Sequence, residues 1–133
     1  MKKEEEICTR PLSEAEVRAV IDGLPALIKE LVGDCIVNVE YGWACNIHIN
    51  LQYQTMDVGI SWLDRFLSDS INQSIYRPAK SDLTVATPDN GLKMQFCHES
   101  DIHLSGQDAN LVQRACKHDL LRNLMKREVQ TSA

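Results

Sequence analysis

From residue 35 to 51, apolar and polar side chains alternate with almost no exception. Cys35, Val37, Val39 and Tyr41 alternate with Ile36, Asn38 and Glu40. Beyond Gly42, Trp43, Cys45, Ile47, Ile49 and Leu51 alternate with Ala44, Asn46, His48, Asn50 and Gln52. A strand throws successive side chains to opposite faces, so this pattern predicts two strands, each with one buried and one wet face. Gly42 is expected in the turn of the hairpin that joins them. The wet face is unusual in content. It carries amides, one carboxylate and one imidazole: Asn38, Glu40, Asn46, His48, Asn50 and Gln52.

The same period returns from 83 to 104. Leu83 and Val85 alternate with Thr84 and Ala86. After Pro88-Asp89-Asn90-Gly91, a strong turn signal, Leu92, Met94 and Phe96 alternate with Lys93, Gln95 and Cys97. A short loop at His98-Glu99-Ser100 then leads to Ile102 and Leu104, with Asp101 and His103 facing the other way.

Three segments keep a helical period instead. Val17, Val20, Ile21, Leu24, Leu27, Ile28 and Leu31 form a stripe. Ser13 and Glu16 stand at capping-box spacing before it, and Gly33 follows it. Gly23 and Pro25 predict a kink or a break inside this helix. Residues 60 to 76 give a second helix through Ile60, Leu63, Leu67, Ile71 and Ile75, stopped by Arg77-Pro78. A third starts near Asp108, an N-cap candidate. It buries Leu111, Val112, Ala115, Cys116, Leu120, Leu121, Leu124 and Met125, with Lys117, Arg122, Lys126 and Arg127 in its C-terminal half.

The expected order is α-ββ-α-βββ-α. This is an α+β fold with an antiparallel sheet of about five strands and three helices packed on one face, the other face remaining in water. At 133 residues the chain makes one domain, expected over 12–128. Residues 1–11 read as a flexible charged arm and 129–133 as a frayed tail.

Charge narrows the partners. A formal net charge of −5 gives little counterion release, so nucleic acid is not expected, and a basic protein surface is. No run of about 18 apolar residues marks a membrane span. Glu4, Glu5 and Glu6 follow Met1-Lys2-Lys3 where a signal peptide would turn apolar, which predicts a cytoplasmic protein. Five widely spaced cysteines, with no Cys-x-x-Cys pair, predict thiols rather than a disulfide framework.

The densest chemistry lies in Cys97-His98-Glu99-Ser100-Asp101-Ile102-His103. Asp101 and His103 share a strand face about 7 Å apart. A turn at 98–100 would bring Cys97 to them, and Cys, Asp and His together can hold a transition metal. The spacing matches no established zinc motif, and all three come from one local segment, so a polar turn leading into a surface strand stands beside the metal reading. His48 would join Asp101 and His103 as an acid/base group only if the two sheet segments brought them together. Adjacent strand residues point apart, so His98 is not positioned to activate Cys97. No phosphate loop, dinucleotide fingerprint or Gly-x-Ser-x-Gly elbow is present in the sequence.

In size, acidity and rough element order the chain is similar to class I secretion chaperones. In size and acidity it is similar to immunity proteins that block nuclease toxins. Neither likeness rests on a motif, and no functional residue is carried over from it. The residues lead first to an acidic cytoplasmic protein-binding module (inhibitor, immunity or chaperone-like) with no cofactor and no catalysis. It would bind a protein partner through Asn38, Glu40, Asn46, His48, Asn50, Gln52, Asp101 and His103. The alternative is a small metal-dependent or acid/base enzyme centred on His48, Asp101 and His103. A homodimer formed through a self-complementary sheet face is compatible with the first reading.

Overall fold

A computed structural model describes residues 6–42, 54–73, 82–97 and 100–125. Its elements run β1 (Ile7–Cys8), α1 (Glu14–Val32), β2 (Ile36–Gly42), β3 (Gln54–Gly59), α2 (Ile60–Asn72), β4 (Asp82–Ala86), β5 (Lys93–Phe96), β6 (Ile102–Ser105) and α3 (Ala109–Lys117). A single 3-10 turn, Pro88–Asn90, joins β4 to β5. The sheet order is β1-β6-β5-β4-β2-β3, with every pair antiparallel. The α+β class, the antiparallel sheet and the three helices are as the periodicity implies, but the described residues form six strands and not five.

Two of the described strands fall outside the expected spans: β3, and β1, which lies inside the stretch that reads as a charged arm. Two residues form a strand there because Thr9 fastens them down. The Thr9 amide donates to the Ile102 carbonyl at 2.9 Å. Its buried hydroxyl accepts from the Ile102 amide at 3.0 Å.

Helix α1 begins as expected. The Ser13 hydroxyl accepts from the Glu16 amide at 3.1 Å, and the Glu16 carboxylate accepts from the Ser13 amide at 2.9 Å. It ends at Gly33, whose φ of 93° favours glycine. Between these caps the helix runs unbroken for 19 residues through Gly23 and Pro25, against the expected break. An interior proline costs about 3 kcal/mol. Val17, Val20, Ile21, Leu24, Leu27 and Ile28, on both sides of it, are each 2% exposed or less. Fully burying a side chain of this size stabilises by about 1.5–3 kcal/mol, so the stripe outweighs the missing hydrogen bond. Gly23 serves packing: a Cβ there would lie 2.9 Å from Leu120 Cδ1.

Strand β2 keeps the expected alternation, with Val37 and Val39 buried between the partly wet Ile36, Asn38 and Glu40. Its partner differs. Gly42 is a strand residue opposite Asp82, not a turn, and the antiparallel neighbour is β3, in register Ile36 to Gly59 and Tyr41 to Gln54. The expected strand from Trp43 to Leu51 lies outside the described residues. Leu83, Val85, Met94, Phe96, Ile102 and Leu104 complete the buried sheet face, all 1% exposed or less. Leu63 and Leu67 of α2 and Leu111, Val112 and Ala115 of α3 join the same core.

Helix α3 starts at Asp108, which caps the Leu111 amide at 3.1 Å, but it stops at His118 and does not continue to Met125. His118 has an extended backbone, ψ 147°. Its imidazole Nδ1 accepts from the Leu120 amide at 3.0 Å, and Nε2 lies 3.0 Å from the Glu30 carboxylate on α1. The chain then turns back, so Leu121 is fully buried without being helical. The Arg10 amide donates to the Leu124 carbonyl at 3.0 Å. Among the described residues, no helix is long and apolar enough to cross a membrane.

Candidate functional site

All three helices pack on one face of the sheet, against the buried side chains of each strand. The opposite face carries the alternate set: Ile36, Asn38 and Glu40 on β2, Asp57 on β3, Thr84 on β4 between the buried Asp82 and Ala86, Lys93 and Gln95 on β5, His103 and Ser105 on β6, and Cys8 on β1. Antiparallel partners lie on one face, and the register pairs Asn38 with Asp57, Glu40 with Thr84, Thr84 with Gln95, Gln95 with His103 and His103 with Cys8. Asn38 Nδ2 donates to Asp57 Oδ1 at 3.1 Å, tying β2 to β3 across this surface.

Acidic groups outnumber basic ones here. Glu40, Asp57 and Asp101 lie on the face and Glu6 at its β1 end, against Lys93 and the imidazole of His103. At the β3 end the surface turns apolar. Ile36 is 62% exposed and Trp62 63% exposed. Gly59 lies between them: it pairs with Ile36, and its missing Cβ would be 3.8 Å from Trp62 Cδ1. Trp62 reads from sequence only as a neighbour of the α2 stripe. Its place at the rim follows from the pairing of Gly59 with Ile36, which local periodicity does not carry.

The Cys97–His103 segment folds tightly. The Cys97 amide donates to the Asp101 carbonyl at 2.9 Å, and the Ser100 amide to the Cys97 carbonyl at 3.0 Å. Ser100 takes a φ of 72° to close this turn. As a result Cys97, Asp101 and His103, all partly buried, each place one ligand atom within 4.8 Å of the other two. His103 Nε2 is 3.2 Å from Asp101 Oδ1. Its other nitrogen, Nδ1, is buried and has no hydrogen-bond partner among the described residues. Glu6 Oε1 stands 3.4 Å from it, within ion-pair range but short of hydrogen-bond geometry. Glu6, distant in sequence, is brought to His103 by the unexpected β1 that follows it.

Of the residues that the sequence marks for binding, Asn38, Glu40, Asp101 and His103 lie on the open face. Asn46, His48, Asn50 and Gln52 fall outside the described residues, so the convergence of His48 with Asp101 and His103 falls outside them too. Cys35 and Cys116 are away from this surface, packed against the core. Burial pushes both thiols up, and the neighbouring Asp34 charge adds to the shift at Cys35. A shallow cleft lined by Glu14, Ala15, Arg18 and Ile71 lies on the helix layer, on the other side of the sheet.

No family model, curated protein or solved structure matches this chain.

Proposed function

We propose that this chain is an acidic cytoplasmic protein-binding module, without catalytic chemistry of its own, that docks a basic protein surface on its open sheet face. One observation carries the reading: among the described residues, a six-stranded sheet has all three helices on one side and, on the other, a row of hydrogen-bonding side chains in which carboxylates outnumber basic groups. Glu40, Asp57 and Asp101 would meet cationic groups of the partner, setting association rate and orientation. Ile36 and Trp62 supply the apolar anchor at the rim, where truncating a tryptophan commonly costs at least about 2 kcal/mol of binding. Such a loss corresponds to about 30-fold in Kd.

The test is site-specific photo-cross-linking in cells. A cross-linking amino acid replaces Gln95 on the open face in one variant and Gln113, exposed on α3, in another. The expected result is capture of one defined protein with a basic surface through position 95 only. Capture should be lost when Glu40→Lys and Asp57→Lys are added together. Equal capture through position 113, or capture at 95 that survives the charge reversal, would contradict the reading.

A further inference from the structure

We infer that Cys97, Asp101 and His103 form a zinc site, with Glu6 holding the ligating imidazole from behind. This goes beyond partner docking and is independent of it.

The donor set is the first argument. A thiol, an imidazole and a carboxylate, each with one ligand atom within 4.8 Å of the others, are the three side-chain types that zinc takes. The sulfur selects against magnesium and calcium, which bind oxygen.

Geometry is the second. Zinc bonds of about 2.0–2.3 Å in a tetrahedron separate neighbouring ligand atoms by roughly 3.3–3.7 Å. His103 Nε2 and Asp101 Oδ1 already stand 3.2 Å apart. The Cys97 sulfur stands within 4.8 Å of both atoms. Backbone hydrogen bonds between Cys97, Ser100 and Asp101 hold the two ends of the turn together before any ion arrives.

The third argument is the other imidazole nitrogen. A metal-bound histidine almost always presents its second N–H to a carboxylate or carbonyl, which fixes its tautomer and orientation. With Nε2 on the metal, Nδ1 carries the proton, and Glu6 Oε1 is 3.4 Å from it. That nitrogen is buried and has no hydrogen-bond partner among the described residues. One placement of the ion therefore gives His103 a role for both nitrogens. Cys8, cross-strand from His103, is not among the described residues meeting the 4.8 Å limit, and the three side chains leave a fourth coordination position for another donor. Binding converts the Cys97 thiol to a thiolate and releases its proton to water.

The test uses the full chain, purified reduced and stripped of metal. Zinc is titrated in competition with a chromogenic chelator, and cobalt(II) is added separately to read the thiolate-to-metal charge-transfer band. The expected result is one equivalent of zinc and a cobalt band that Cys97→Ser abolishes. Asp101→Asn and His103→Asn should each weaken zinc at least tenfold, and Glu6→Gln, at an exposed residue that leaves the turn intact, roughly 10- to 100-fold. Cys8→Ser should bind as the parent does. Circular dichroism confirms that each variant is folded. Absence of stoichiometric zinc from the parent, or zinc affinity unchanged in folded Cys97→Ser and Asp101→Asn, would overturn the assignment.

Discussion

Replacing Thr9 by valine removes one oxygen and keeps the shape. In the folded chain that oxygen accepts from the Ile102 amide at 3.0 Å in a buried setting, and its hydrogen goes to the Arg10 carbonyl at 2.8 Å. Thr9 is 2% exposed, so water does not reach the vacated Ile102 N–H. Leaving a buried donor unsatisfied costs about 1–3 kcal/mol. The methyl that replaces the hydroxyl is better suited to burial and recovers part of this, which leaves a net loss of about 1–2 kcal/mol. Unfolding entropy of about 2.1 cal/mol/K per residue, over 133 residues, converts that loss to a fall in Tm of roughly 4–7 °C. Urea unfolding followed by circular dichroism should show a lower midpoint at constant m. Hydrogen exchange at the Ile102 amide should speed up more than exchange in β4. Thr9→Ser keeps the oxygen and should lose less. If Thr9→Val equalled the parent in midpoint and in Ile102 protection, or if Thr9→Ser were as damaging as Thr9→Val, the hydroxyl would not be what fixes β1.

Acid should expose the role of Glu16. The Arg10 guanidinium, followed by the Ser13 backbone amide, holds its carboxyl at about 2 instead of its ordinary 4.5. The folded state therefore binds this proton less well than the unfolded state. The resulting stability is complete above the unfolded value and is lost as pH falls toward 2. Glu16→Gln should melt below the parent at pH 7, and the gap should close between about 4.5 and 2; a gap constant across that window would contradict the assignment. Two glycine substitutions should differ sharply. Gly106 has a φ of 154°, and a Cβ there would run into the Gly91 backbone, so Gly106→Ala should destabilise by at least about 1–3 kcal/mol. At Gly23 the obstacle is the end of the Leu120 side chain, and alanine gains up to about 1 kcal/mol in helix propensity. Gly23→Ala should therefore stay within about 1 kcal/mol of the parent in the same urea assay.

What could be seen in the sequence was local. Ser13 and Glu16 are three residues apart and complete their capping box with nothing else. Val37, Val39, Leu83 and Val85 announce their face by spacing alone, and so do Asp101 and His103. What escaped depends on distant partners. Ile7 and Cys8 are a strand only because Thr9 meets Ile102, 93 positions away. Helix α3 stops where His118 reaches Glu30, 88 positions back. Strand β3 offers only Met56 and Val58 as an apolar pair, and as an outer strand it leaves Met56 52% exposed, so its alternation is faint. The site divides in the same way. Cys97, Asp101 and His103 lie within seven residues and could be read together, whereas Glu6 reaches them only through β1.

The proposed docking depends on a sheet whose two faces differ, and strand β4 places that difference in three consecutive residues. Leu83 and Val85 are 0% and 1% exposed, with Thr84 between them on the open side. Side-chain methyl NMR of the isolated chain with an inert, water-soluble paramagnetic agent reads this contrast directly. The expected result is strong broadening of the Thr84 methyl with the Leu83 and Val85 methyls almost untouched. Equal broadening of the three, or a shielded Thr84 between broadened neighbours, would contradict the open face and the docking function built on it.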